Sequence, residues 1–340
     1  MGKSRLMSNS NRSRAGSILS VVLSVSILAV TLWVVLNRQY VFDQWNVILY
    51  TPDSSVSSIV DRSGMSEKGK FYFYASQPAV NTAADFNANC QRQEVKSAIL
   101  GCYSVGRIYI YDVPNSQLEG IKEVTAAHET LHAAWDRMGD PDKKSVGVLL
   151  EAEYQRLNDP ALKERMAYYD RNEPGEHLNE LHSIIGTEIT NIDPSLEAHY
   201  KTYFSDRSKI LALYNGYETL FSSQEARGVV LSNELSALKI DLESSTQSYN
   251  SEAASIESNY SALKSRESTV NRTSASQVNS YNASVAALRL RVNRLSSLRA
   301  NIIAKQDTYN AKATEYNALV VNTNELTKSL DSTLQPTPSL

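Results

Sequence analysis

Five histidines occur in the 340-residue chain, and two of them fall in His128-Glu129-Thr130-Leu131-His132. Residues four apart on an α-helix lie one above the other, so a helix here aims both imidazoles at one point. That point suits Zn2+, which accepts neutral imidazole nitrogens at about 2.0–2.1 Å. Glu129 flanks the same point, placed as general base toward a zinc-activated water. From Val124 to Trp135 the motif carries the only charges, so the helix is built for burial. Two core histidines on an amphipathic helix are the plain alternative.

The motif and its uncharged flanks resemble the zincin metallopeptidases, sharply over about a dozen residues and loosely over residues 54–210. The resemblance implies three protein ligands and one position left open. In the gluzincin branch the third ligand is a Glu on a later helix, often within an Asn-Glu pair. Asn179-Glu180 matches that pattern and makes Glu180 the first candidate. Glu188, two turns further along, is an alternative ligand or a partner that orients a ligand histidine; Glu176 and His182 are further alternatives. The metzincin continuation and the inverted motif are absent. Thermolysin-type members place an Asp four after the ligand Glu, and this chain has Ile184 there. A Tyr or His that steadies an oxyanion is also implied, and His199, Tyr200 and Tyr203 are the residues at hand.

The elements that must position these groups begin with an anchor. Residues 1–16 contain Lys3, Arg5, Arg12 and Arg14 and no acid, and residues 17–36 then run without a charge. About 20 apolar residues suffice to cross a ~30 Å hydrocarbon core. Trp33 and Tyr40 read as interface anchors, no small-residue cleavage site follows, and the preceding positive charge keeps the N-terminus in the cytoplasm. The remainder is expected outside, where Cys90 and Cys102 would form a structural disulfide. Residues 37–52 read as a mixed juxtamembrane linker.

Residues 53–215 form the expected zincin-like domain, an α+β fold with a small sheet and mainly helices. Asp53 or Ser54 opens a short helix to Arg62, stopped near Gly64. Lys70-Phe71-Tyr72-Phe73-Tyr74 reads as a strand, 81–89 as a loop, and Arg107 to Tyr111 as a second strand. In the family an edge strand above the cleft pairs with extended substrate, and Arg107–Tyr111 is the candidate for it. Gly139-Asp140-Pro141 ends the motif helix, with Asp140 read as cap of the next one.

Residues 216–334 carry neither Gly nor Pro from Val229 to Leu334, and apolar residues recur in sevens. One set runs Leu235, Leu242, Tyr249, Ile256, Leu263, Val270, and a second runs Tyr281, Leu288, Leu295, Ile302, Tyr309, Tyr316. Such heptads argue for a coiled coil, and the register break near 271–276 makes it a long helix with a stutter or, as favoured here, a helical hairpin. A loose tail, 335–340, follows.

The net charge of −3 and the lack of a basic stripe give no reason to expect nucleic acid as partner. The sequence therefore reads as a membrane-anchored zinc peptidase acting on a peptide or protein outside the cytoplasm. The same chemistry could serve cell-wall amide bonds. The rival reading is a non-catalytic envelope scaffold or adhesin-like protein, working through self-association or an envelope partner of its coiled coil.

Overall fold

A computed structural model of the chain describes residues 10–90 and 99–333. The described residues are mostly helical, with a three-stranded sheet and an apolar helix near the N-terminus. The basic residues before position 10 and the tail from 334 onward lie outside them. The chain divides into two compact units. One is built on residues up to Tyr217 together with the chain from Lys328 onward, and the other on Glu218–Thr327.

In the first unit, α1 (Ser10–Leu36) contains Ile18–Leu36, which is long and apolar enough to cross a membrane and has none of its surface buried. After Asn37 comes α2 (Arg38–Leu49), where the sequence reads a linker. The segment is helical because one side of it docks: Asp43 is buried, and Asn46 Nδ2 donates to the Ala75 carbonyl at 3.0 Å. α3 (Ser54–Ser63) begins where the Asp53 carboxylate accepts the Val56 amide at 2.8 Å and stops at Gly64, in the left-handed region at φ 65°. Val56, Ile59 and Val60 form its buried stripe.

The aromatic run read as a strand is instead helix α4 (Glu67–Ala75). Ser66 Oγ accepts the Gly69 amide at 3.1 Å, an N-terminal cap, and Glu67 stands in the first turn. Gly69 and Phe73 are buried four apart, a helical period. Residues 81–89, read as a loop, hold the end of β1 (Ala79–Asn81) and α5 (Ala83–Asn89), which Thr82 caps. β2 (Gly101–Ser104) and β3 (Arg107–Tyr111) follow. The sheet order is β1-β3-β2, parallel between β1 and β3 and antiparallel between β2 and β3. Arg107–Tyr111 is thus the central strand, and its two neighbours occupy the edges where an added peptide would have to pair. Cys90 and Cys102 are disulfide-bonded, tying the end of α5 to β2.

A short 3-10 turn, Ser116–Leu118, and Gly120 lead into α6 (Ile121–Asp136), the central helix of the unit. Its Ala126, Ala127, Ala133 and Ala134 are all fully buried, and such small residues let neighbours approach closely. α7 (Asp140–Leu157) has Gly139 at its cap position, so Asp140 lies inside the first turn rather than capping it. α8 (Pro160–Asn172) is capped by Asp159, and α9 (His177–Glu188) then packs along α6. Gly186 is the point of closest approach: a Cβ there would stand 2.4 Å from Leu131 and 2.7 Å from Tyr200. α10 (Pro194–Tyr200) completes the core with Leu196 and Tyr200.

In the second unit run most of α11 (Ser208–Glu267) and α12 (Ala275–Leu330). Ion pairs join Glu234 to Lys312 at 2.7 Å, Asp241 to Lys305 at 2.8 Å and Glu252 to Arg291 at 2.8 Å. Partners on α12 descend as those on α11 ascend, so the two helices run antiparallel. The chain turns over at residues 268–274, where the heptad register breaks. Leu242, Tyr249 and Ile256 on one helix, and Leu288, Leu295, Ile302 and Tyr309 on the other, are half-buried between exposed neighbours, and Leu235 is half-buried beside Glu234.

Candidate metal centre

His128, Glu129 and His132 project from α6, and Glu180 meets them from α9. The Nε2 atoms of the two histidines lie 3.1 Å apart. His132 Nε2 is 3.4 Å from Glu180 Oε1, and His128 Nε2 is 3.8 Å from Glu180 Oε2. Three ligand atoms at zinc bonding distance from a tetrahedral centre are spaced by about 3.4 Å. Taking one ligand atom from each residue, all three lie within 4.8 Å of one another, a nitrogen and oxygen donor set of the chemistry zinc accepts and looser than a closed tetrahedral site. A further observation favours a cation: Glu180 Oε2 is buried with no hydrogen-bond partner.

Orientation of the rings comes from Asn179. Its Nδ2 donates to Glu176 Oε2 at 2.8 Å, so Oδ1 faces His132 and accepts from Nδ1–H at 2.9 Å. With the proton on Nδ1, the Nε2 lone pair of His132 is free for a metal. The sequence-level expectation of a carboxylate in this role finds an amide instead.

The electrostatics are those of a dry, acidic site. Burial, reinforced by His132, pushes His128 well below the ordinary histidine range. Burial also lowers His132, but Glu180, Glu129 and Asn179 outweigh it and the net shift is upward. Burial raises Glu180, against the pull of His132, Arg165 and Tyr169. Glu129 is pushed up to about 7, chiefly by burial, with His132 opposing and Glu180 adding to the rise.

β2 passes directly beside Glu129. A Cβ on Gly101 would stand 2.5 Å from the Thr125 side chain and 2.7 Å from Glu129 Oε1, so only glycine lets the strand approach Glu129 so closely.

The other sequence candidates are placed elsewhere. Glu176 is exposed and serves Asn179. Glu188 binds Arg165 Nη1 through both oxygens, at 2.9 and 2.7 Å. His182 points away from the cluster: its Nε2 lies 2.9 Å from His199 Nε2 and its ring stacks on Tyr200. Tyr200 donates to the His182 carbonyl at 2.8 Å from full burial, and Tyr203 packs on Tyr72. None of His199, Tyr200 and Tyr203 joins the triad. Arg165 and Tyr169 on α8 do act on Glu180, and sequence reasoning missed both. Their i, i+4 spacing is a helical-face signal, but nothing local says which helix that face meets.

No family model, curated protein or solved structure matches this chain.

Proposed function

We propose that the chain is a zinc-dependent peptidase anchored to a membrane by α1. The observation that carries this reading is the buried group His128–His132–Glu180, with one carboxylate oxygen lacking a partner and Glu129 alongside. His128, His132 and Glu180 would hold Zn2+ and leave a fourth position open. When bound, zinc supplies a Lewis acid that polarises a carbonyl oxygen and acidifies water. Glu129 receives the proton of the attacking water on its carboxylate and delivers it to the departing amine nitrogen. Asn179 holds His132 in the tautomer that presents Nε2. Arg165 and Tyr169 support Glu180 from α8. Among the described residues β2 pairs with β3 alone, which makes its outer edge the place for an extended peptide to add.

The order of elements, an antiparallel edge strand beside the motif helix and a later helix bearing Asn179-Glu180, supports a zincin-like domain of the gluzincin kind. The bonded Cys90–Cys102 pair supports an oxidising, extracytoplasmic location. The half-buried heptad positions of α11 and α12 support an antiparallel coiled coil, acting as spacer or docking arm. In the scaffold reading Glu129 would be a buried acid with no task, which is why the peptidase reading is preferred. The test is cleavage of a mixed peptide library by the full chain in detergent beside Glu129→Gln. Cleavage that disappears in the variant supports the reading, and equal cleavage by both contradicts it.

A further inference from the structure

α2 has two unlike faces. One carries Asp43, Asn46 and Tyr50, which bond to Arg137, to the Ala75 carbonyl and to the Pro78 carbonyl. The other presents Phe42, Trp45, Ile48 and Leu49, which are 65%, 61%, 73% and 61% exposed. At 100° per residue these four cover about a third of the helix circumference. A continuous apolar face of this kind on a helix otherwise docked to the protein calls for an occupant.

The chain itself indicates which. Helical hydrogen bonding runs through the junction with α1, from Asn37 N to Trp33 O at 2.9 Å and from Val41 N to Asn37 O at 3.1 Å. The face therefore begins within two turns of Leu36, where the apolar span ends. Its composition, with Trp and Phe beside Ile and Leu, is that of groups that settle at the boundary between headgroups and acyl chains. Arg38 opens the helix two residues past the end of the apolar span, within reach of lipid phosphates if α1 crosses a bilayer.

We propose that α2 is a membrane-interface helix whose Phe42, Trp45, Ile48 and Leu49 enter the lipid surface next to the α1 anchor. This rests on the reading of α1 as a membrane span. The consequence reaches the metal centre. Arg137, one residue past the end of α6, holds Asp43 through two hydrogen bonds of 2.9 and 2.8 Å, and its Nη1 donates to the Tyr103 hydroxyl at 3.2 Å. The helix that carries His128 and His132, and the edge strand beside Glu129, are both tied to the lipid-facing element. The candidate site is thereby held at a set height over the bilayer, and the substrates it favours are membrane-proximal stretches of polypeptide.

The test uses the full chain in lipid vesicles containing brominated phosphatidylcholine, with tryptophan fluorescence read for wild type, Trp45→Phe and Trp33→Phe. The contribution lost in Trp45→Phe isolates Trp45 without disturbing the other tryptophans. The expected result is that this contribution is quenched by bromine near the headgroup end of the chains and is insensitive to aqueous iodide. Quenching by iodide would show the face open to water, and quenching by neither would show it covered by protein, such as a second copy; either overturns the proposal. The Trp33 contribution separates the two readings. Trp33 quenched by bromolipid with Trp45 unaffected means that α1 spans and α2 stands clear, whereas neither being quenched removes the anchor itself.

Discussion

Asn179 Oδ1 accepts the Nδ1–H of His132 at 2.9 Å, so the residue next to the candidate ligand Glu180 orients a second candidate ligand on another helix. Losing such a partner typically costs 10- to 100-fold in metal affinity. Asn179→Ala is therefore expected to weaken zinc binding by about that factor, while Asn179→Asp, which keeps an acceptor, retains most of it. Competition with a chelator of known affinity provides the readout.

Gly101 offers a way to perturb the proposed base apart from the proposed metal ligands. A Cβ there would meet the Thr125 side chain first, at 2.5 Å, and then the Glu129 side chain, at 2.7 and 2.9 Å. Gly101→Ala is expected to lower peptide cleavage at least about tenfold by displacing the base, with zinc content unchanged. Parallel loss of zinc would mean that the strand supports the ligands instead.

The Asp43–Arg137 pair is almost wholly buried, with side chains 3% and 4% exposed. Removing one partner strands the other charge, which typically costs about 3–5 kcal/mol, whereas replacing both with apolar residues of similar size is often close to neutral. Asp43→Ala should lower the midpoint of denaturant unfolding of the full chain in detergent, and Asp43→Leu with Arg137→Met should recover much of the loss. Equal damage from the double variant would point to the hydrogen bonds with Tyr103 as the larger contribution.

His199 is lowered to about 4, chiefly by burial, with Lys68 adding to it. A histidine depressed in the folded state leaves the unfolded chain binding more protons between its two pKa values. Its contribution to stability is fully present above about pH 6.5 and is lost as pH falls toward 4. Thermal unfolding should show Tm falling across that window, and His199→Gln should fall less steeply. An unchanged slope in the variant would assign the acid sensitivity to other groups.

The triad was legible because its information is local. Four-residue spacing places His128 and His132 on one helical face whatever surrounds them, and an Asn-Glu pair at Asn179 marks the second helix. What escaped was set by distant contacts. The run at Lys70–Tyr74 has strand-forming side chains, but Ser66 caps it and Gly69 packs against the Tyr203 backbone, so it is helical. Residues 38–49 form a docked helix because Asp43 meets an arginine 94 positions later. Arg107–Tyr111 alternates as either an edge or a central strand would, and only pairing on both sides decides between them. Glu188 lies on a plausible face of α9, yet Arg165 on α8 takes both its oxygens.

In the proposed site His128, His132 and Glu180 hold a zinc ion and Glu129 does not. The most direct measurement is the metal content of purified full-length chain by elemental analysis, for wild type, Glu180→Ala, Glu188→Ala and Glu129→Gln. About one zinc ion per chain is expected in wild type, Glu188→Ala and Glu129→Gln, and a sharp loss in Glu180→Ala. Zinc retained in Glu180→Ala, or absent from the wild-type chain after reconstitution with the metal, would contradict this assignment.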